Sequence, residues 1–233
     1  MNSKTPEGGY GLALHTTTPD LGLALGYFPN PPNPPADHPL RMAVIPLGRD
    51  MAATLHSHLQ AFLAPQTWPE LQFLAVAKGP GGFTGTRLGL VTARTIAQQL
   101  EIPLFAFSTL ETIALYIAQT ETLFDRDLAI TLPAQRGQIF AGIYRCALEG
   151  MPPQTLFPDQ VLSLDEWQSV LHSWPAPFVE VKKGDQIAES VFILLTLAQR
   201  YRQLPDRALS HPHWLQALPF YGQHPVQLEG VKS

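Results

Sequence analysis

LQFLAVAKGPGGFTGTRLGLVTARTIAQQL, residues 71–100, sets the architecture, because an apolar strand empties through a glycine-rich turn directly into a helix. Leu74, Ala75, Val76 and Ala77 show no polar alternation, which predicts a strand buried on both faces, as in the middle of a mainly parallel sheet. Lys78 marks its end. Gly79, Pro80, Gly81, Gly82 and Gly85 then combine a fixed φ at proline with permissive φ at glycine, the chemistry of a tight, closely approached loop. A helix is expected from about Thr86. At about 100° per residue, Arg87, Arg94, Gln98 and Glu101 share one narrow solvated stripe, with Leu88, Val91 and Thr95 beside it. Leu90, Ala93, Ile96, Ala97 and Leu100 cover the far side. So apolar a helix has surface to spare after packing on one sheet. It is either a central helix buried by its own domain or one that meets a partner.

Upstream, Tyr10 to His15 and Leu21 to Phe28 are apolar runs joined by Thr16, Thr17, Thr18, Pro19 and Asp20, which reads as a β-hairpin. Residues 29–39, PNPPNPPADHP, are too proline-dense for helix or central strand and predict an extended surface loop. Leu40 to Pro46 gives a third strand. Met51, Leu55, Leu59 and Phe62 then repeat at helical spacing. The other side of that helix carries Thr54, Ser57, His58 and Ala61, small or uncharged, a face that a neighbour can approach closely.

Downstream, Ile102 to Phe107 predicts a strand, and Ser108 with Glu111 opens the next helix, whose buried face is Leu110, Ile113, Ala114 and Ile117. The pattern shifts near Asp125–Asp127, dividing the chain into an N-terminal lobe, 1–124, and a smaller C-terminal lobe, 125–233. Leu128–Leu132 and Gln138–Cys146 read as a second hairpin. Between Glu149 and Lys183 the signals weaken, leaving a short helix near Asp165–Leu171 and a strand at Phe178–Val181. Glu189–Gln203 is helical, and the proline-spaced tail reads as irregular.

The chain has 233 residues, 45% hydrophobic and 15% charged, enough for a sizeable core. Its net charge of −4 supplies no basic field for phosphate neutralisation, so any RNA must be held by another subunit. One cysteine, Cys146, makes no internal disulfide, and MNSKTPEGGYG lacks an apolar export core, so a cytoplasmic location is expected. Val191–Leu197 falls far short of the roughly 20 residues that span a bilayer, and no membrane segment is expected.

Among the motifs, GPGGFTG (Gly79, Pro80, Gly81, Gly82, Phe83, Thr84, Gly85) leads into a helix N-terminus, where backbone N–H groups and the helix dipole favour an anion or a nucleotide phosphate. It is not a Walker loop, since no Lys-Ser/Thr pair follows the last glycine, and a purely structural tight turn explains it equally well. His56 with His58, and His211 with His213, are poor metal pairs. No Gly-x-Ser-x-Gly elbow occurs, and Cys146 lies inside a strand, where a nucleophile is poorly presented.

AVAKGPGGFTGTRLGLVTARTIAQQLEIPLFAFSTLETIA, Ala75 to Ala114, resembles the signature of the TsaB (YeaZ) family. LALHTTTPDLGLALG at 12–26 is similar to that family's opening strands, PAQRGQIFAGIY at 133–144 to its Asp-Ala-Arg-x-Gly-x-Tyr segment, and LPFYGQHPV at 218–226 to its terminal Pro-x-Tyr motif. The resemblance implies an α/β fold of the actin-like (ASKHA, ribonuclease H-like) type, with two related lobes of which the second is reduced. It also implies work in tRNA modification, making threonylcarbamoyladenosine at position 37 with the transferase TsaD and the ATPase TsaE.

Two departures bear on activity. His15 and Pro133 stand where members of that family carry Asp. The first loss removes a carboxylate similar to that of the phosphate-handling turn in actin-like ATPases, and the second removes an acceptor for a Mg²⁺ water. The related catalytic subunit has His-x-x-x-His at positions that are Thr109 and Ile113 here, so no metal pair forms. The expectation is a non-catalytic subunit with no cofactor of its own, ATP and a metal belonging to the complex. Its partners would be homologues of TsaD and TsaE, with a homodimer open to the chain when alone and tRNA touched only through the complex. The partner surface is expected on Thr54, Ser57, His58, Ala61, Leu90, Ala93 and Ala97. The competing reading is a stand-alone nucleotide-binding or glycoprotease-like enzyme of the same superfamily.

Overall fold

The computed structural model describes residues 8–28, 40–147, 151–202, 214 and 217–220. The proline-dense 29–39, His211, His213 and most of the tail lie outside the described residues. The first sheet contains β1 (Gly9–His15), β2 (Asp20–Phe28), β3 (Arg41–Pro46), β4 (Leu71–Ala77) and β5 (Leu104–Phe107), in the order β3-β2-β1-β4-β5. β1, β2 and β3 form an antiparallel meander, and β4 and β5 add in parallel. The run read as a doubly buried strand is the inner strand β4, whose residues 73–77 are all buried. Three helices belong to this part of the chain: α1 (Met51–Leu63), α2 (Phe83–Leu100) and α3 (Thr109–Thr120).

The second sheet contains β6 (Asp127–Pro133), β7 (Ile139–Arg145), β8 (Gln154–Leu162) and β9 (Phe178–Lys182), in the order β8-β7-β6-β9. It is accompanied by α4 (Leu164–His172) and α5 (Val191–Arg202). It repeats the plan of the first sheet, a meander followed by a parallel strand on the far side of its first member, without the fifth strand. This duplication is the actin-like arrangement, with the second lobe reduced.

β8 has no counterpart in the sequence reading. Among the described residues it pairs only with β7, carries Pro158 without a backbone donor, and meets β7 through register shifts, so its alternation is blurred. The helix after the loop begins at Phe83 rather than Thr86, because Gly82 in extended backbone serves as its N-cap.

α1 and α2 cover one face of the first sheet, burying Leu55, Leu59, Leu90 and Ala93 against Leu12, Leu14 and Val76. The opposite face is covered in a crossed manner. α3 follows β5 of the first sheet yet packs on β6 and β7 of the second, while α5 follows β9 yet packs on β1, β2 and β4. The two helices touch, and one apolar cluster therefore runs from Ala13 and Phe73 through Ile113 and Leu194 to Ile130 and Phe140. β1 to β5 precede residue 125 and β6 to β9 follow it, while α3 and α5 are exchanged between the two sheets.

Val191, Ile193, Leu194, Leu195, Leu197 and Ala198 of α5 are all buried, and each large side chain of this kind stabilises by about 1.5–3 kcal/mol. Residues 1–124 expressed alone lose that face. Neither half is expected to show a cooperative thermal transition by circular dichroism, whereas the whole chain should melt in one step. Independent folding of either half would show that the lobes do not share a core.

Candidate functional site

The glycine loop lies against the β1–β2 turn. Gly82 N–H donates to Thr17 O at 2.7 Å, and Thr16 Oγ1 donates to Gly85 O at 2.8 Å. A Cβ on Gly81 would overlap the Thr17 carbonyl oxygen, one on Gly85 the Thr16 carbonyl oxygen, and one on Gly89 the Thr16 hydroxyl. Gly81 and Gly85 are thus required by close backbone approach and not by positive φ, which within this loop occurs only at Gly79 (+97°). Gly89 was not singled out by the sequence, because an isolated glycine in a helix gives no signal of the turn beneath it. On the other side of the loop, Phe220 N–H donates to Lys78 O at 2.8 Å, so the described piece of the tail docks on the strand end.

A cleft of about 1310 Å³ opens over this junction. The β1–β2 turn contributes Thr16, Thr17 and Thr18, the loop contributes Pro80 to Gly85, and the β6–β7 turn contributes Pro133 and Arg136. Arg49, at the approach to α1, faces it as well. α2 presents its N-terminus here without a side-chain cap, and its first bond inside the helix is Thr86 N–H to Gly82 O at 2.9 Å. The cleft therefore offers hydroxyls, a helix N-terminus and two guanidinium groups, with no carboxylate among the described lining residues. That donor set suits an anion.

The two positions where an acid was expected differ in their surroundings. Pro133 is exposed at the cleft. His15 is fully buried at the end of β1, alternating with Leu14, so it lies on the α5 side of the sheet, near Gly22 and Val191. Neither imidazole nitrogen has a hydrogen-bond partner among the described residues, and burial pushes its pKa down to about 4. The positions that would hold a metal pair are also occupied structurally. Thr109 Oγ1 donates to Thr17 Oγ1 at 3.4 Å, and Ile113 is buried in the shared core. No group of three or more His, Cys, Asp or Glu side chains is placed to hold a metal ion among the described residues. Cys146 is buried, and desolvation raises its thiol to about 12.

A second polar cluster escaped the sequence because it depends on β8. Asp159 accepts O–H bonds from Ser108, at the N-cap of α3, and from Tyr144 on β7. Glu111, also buried, accepts from Tyr201 Oη at 3.2 Å.

The helix surface divides differently from the expectation. Leu90, Ala93 and Ala97 are 2%, 0% and 0% exposed and face the first sheet, so these three belong to the core and not to an outer surface. The outward residue of α2 is Val91, 61% exposed, with Arg87 and Thr95 also exposed. On α1, Ser57 and Ala61 are exposed, while Thr54 and His58 are half-buried. Thr54 uses its hydroxyl on Asp50 O at 2.9 Å.

The duplicated sheets with a cleft between them define the class, a two-lobed actin-like protein. The family described as TsaD, tRNA N6-adenosine threonylcarbamoyltransferase, matches residues 56–194, more than half of the chain, and the chain belongs to this family. It is 37% identical over 115 residues to a Bacillus subtilis (strain 168) protein called tRNA threonylcarbamoyladenosine biosynthesis protein TsaB, a match covering 49% of this chain and 46% of the relative. An Escherichia coli (strain K12) protein of the same description is 32% identical over 80 residues, 34% of this chain and 30% of the relative. The matches thus span less than half the length of these curated relatives. Two solved Pseudomonas aeruginosa structures share the fold at 20% identity. One, described as an uncharacterized protein with similarity to peptidase YEAZ, has a TM-score of 0.69 over 92% of this chain and 100% of that one. The other, YeaZ, has a TM-score of 0.67 over 91% and 99%. These relatives support the TsaB (YeaZ) resemblance carried by the motifs.

Gly85→Val forces a branched side chain into the Thr16 backbone and is expected to destabilise by about 1–3 kcal/mol. Gly184→Ala, which meets nothing within 4 Å, should leave chemical denaturation unchanged. Equal stability of both variants and the parent would contradict the close-approach reading. For His15, a folded pKa of about 4 lies below the ordinary 6.5, so the unfolded chain binds the proton more readily between those values. Stability should therefore fall as pH drops from about 6.5 to about 4, by on the order of 3 kcal/mol. In His15→Leu this acid-side loss should shrink without loss of stability at neutral pH, as followed by urea titration across that range.

Proposed function

We propose that this chain is a non-catalytic subunit in the biosynthesis of threonylcarbamoyladenosine at position 37 of tRNA, binding a TsaD-type transferase through the outward faces of α1 and α2. The observation that carries this is the exposure of Val91 on α2 and of the small Ser57 and Ala61 on α1, two helices whose inner faces are already committed to the sheet. Small side chains let a partner's helix come close, and a protruding valine supplies an apolar anchor. Family membership and the names of the relatives supply the process. What supports a non-catalytic role within a family described as a transferase is that Thr109, bonded to Thr17, and Ile113, buried in the core, are not metal-ligating side chains.

In this reading ATP and a metal are held by the complex, the TsaE-type ATPase joins the assembled pair, and tRNA is contacted through the complex by a chain of net charge −4. When alone, the same helix surface is available to a second copy. No described helix is long and apolar enough to cross a membrane, and cytoplasmic work follows from the proposed process. The cleft's donor set favours one additional role, contact with an anionic group of a nucleotide at the glycine loop without a metal held by this chain. A peptidase reading finds little support: Cys146 is buried with a raised pKa, and Ser108 spends its hydroxyl on Asp159.

The test is gel filtration of the chain with the TsaD homologue of its organism. Val91→Arg and Ala61→Arg should each weaken association at least tenfold, about 1.4 kcal/mol, with an unchanged circular dichroism spectrum. Ala97→Arg should instead unfold the chain. Full association of both surface variants would remove this surface from the proposal. ATP turnover by the purified chain that is lost in a Thr109→Ala variant would replace the proposal with the enzyme reading.

A further inference from the structure

Three parts of the molecule converge on the first turn of α3. Ser108 reaches into the second sheet, donating its hydroxyl to Asp159 Oδ2 while Tyr144 Oη donates to Asp159 Oδ1. The same Ser108 oxygen caps the helix, accepting the N–H groups of Leu110 at 3.0 Å and Glu111 at 3.3 Å. Thr109, the next residue, is tied to the glycine loop and the β1–β2 turn. Its N–H donates to Gly79 O at 2.8 Å, and its hydroxyl meets that of Thr17 at 3.4 Å. A shift of this turn therefore moves the glycine loop, the β1–β2 turn and β8 together. We propose that the half-buried carboxyl of Asp159 and the buried carboxyl of Glu111 form a proton-controlled latch that couples the second sheet to the glycine loop through Ser108 and Thr109.

The charges around the latch set its direction. Among the described residues, those facing Glu111 are Lys78 at the end of β4, Asp159 on β8, Tyr144 on β7 with Cys146 just after it, and Tyr201 on α5; Arg200 faces Cys146. Burial raises Glu111 to about 7; the Tyr201 hydroxyl and Lys78 pull it down, and Asp159 adds to the rise. Asp159 is also raised by burial and is restrained by Ser108, Tyr144 and Lys78. With Glu111 neutral, the Asp159 carboxyl accepts two O–H bonds, one on each oxygen, and has Lys78 as its facing cation. When Glu111 releases its proton to solvent, its new charge acts on the Asp159 carboxyl with which it shares Lys78, and that repulsion bears on the Ser108–Asp159 link. Because the folded pKa lies above the ordinary 4.5, the stabilisation is complete below 4.5 and is lost as pH rises through about 7.

Nuclear magnetic resonance of the whole chain between about pH 5 and about pH 9 tests this. The Glu111 carboxyl carbon should titrate near 7, and the amides of Thr17, Gly82 and Thr109 should shift with the same midpoint. That common midpoint should vanish from the loop amides in Glu111→Gln and persist in Glu166→Gln, which changes an exposed carboxylate on α4. If Glu111→Gln does not fold, Tyr201→Phe removes the hydroxyl that favours the ionised form and should move the midpoint upward. Loop amides that stay flat while Glu111 titrates, a midpoint retained in Glu111→Gln, or one unmoved in Tyr201→Phe would each overturn the latch.

Discussion

The contact between α2 and the β1–β2 turn sets the geometry around it. Gly81, Gly85 and Gly89 have no side chain where Thr16 and Thr17 press against the loop and helix, and two hydrogen bonds, Gly82 to Thr17 and Thr16 to Gly85, fix the separation. From that contact follow the position of the α2 N-terminus at the cleft and the rotation of α2 about its own axis. Once Gly85 and Gly89 face the turn, Leu90, Ala93 and Ala97 are driven onto the sheet and Val91 is left in solvent. Backbone geometry at one end of the helix thus determines which face is left outward along its length.

A second constraint acts between the sheets. α3 and α5 lie on each other's sheet, so the inter-lobe space is filled by a shared apolar cluster. Polar groups enter it at Ser108, Tyr144, Asp159, Glu111 and Tyr201, where they are hydrogen-bonded to one another. His15 is different in kind, a buried imidazole with no partner among the described residues, and it occupies an apolar environment as a neutral group. A charge carried there would face the same desolvation without relief, so the His15 side chain serves packing as a neutral group.

Much of the first lobe was legible because its signals are local. The unbroken apolar run at Leu74–Ala77, the glycine loop and the two runs flanking Thr16–Asp20 each report a structure that their own residues enforce. The helical period placed Leu90, Ala93 and Ala97 on one face and Val91 on another, but a period carries no information on which face meets the sheet. That was decided by Thr16, far away in sequence, as the 69-residue separation of its bond to Gly85 shows. Asp159 was illegible for a related reason. Its strand is an edge strand carrying a proline and register shifts, and its partners lie 51 and 15 residues away. The anion-suited cleft was half visible, since the loop announces a helix N-terminus while Arg49 and Arg136 reach it only through the fold.

If the outward faces of α1 and α2 are this chain's working surface, partner binding must shield them from solvent. Hydrogen–deuterium exchange of the full chain, alone and with the TsaD homologue, reads that surface without altering a residue. Exchange in α1 and α2 should slow on complex formation, with β8 and α4 unchanged. Protection confined to the second sheet and α4, with α1 and α2 exchanging as in the free chain, would contradict it.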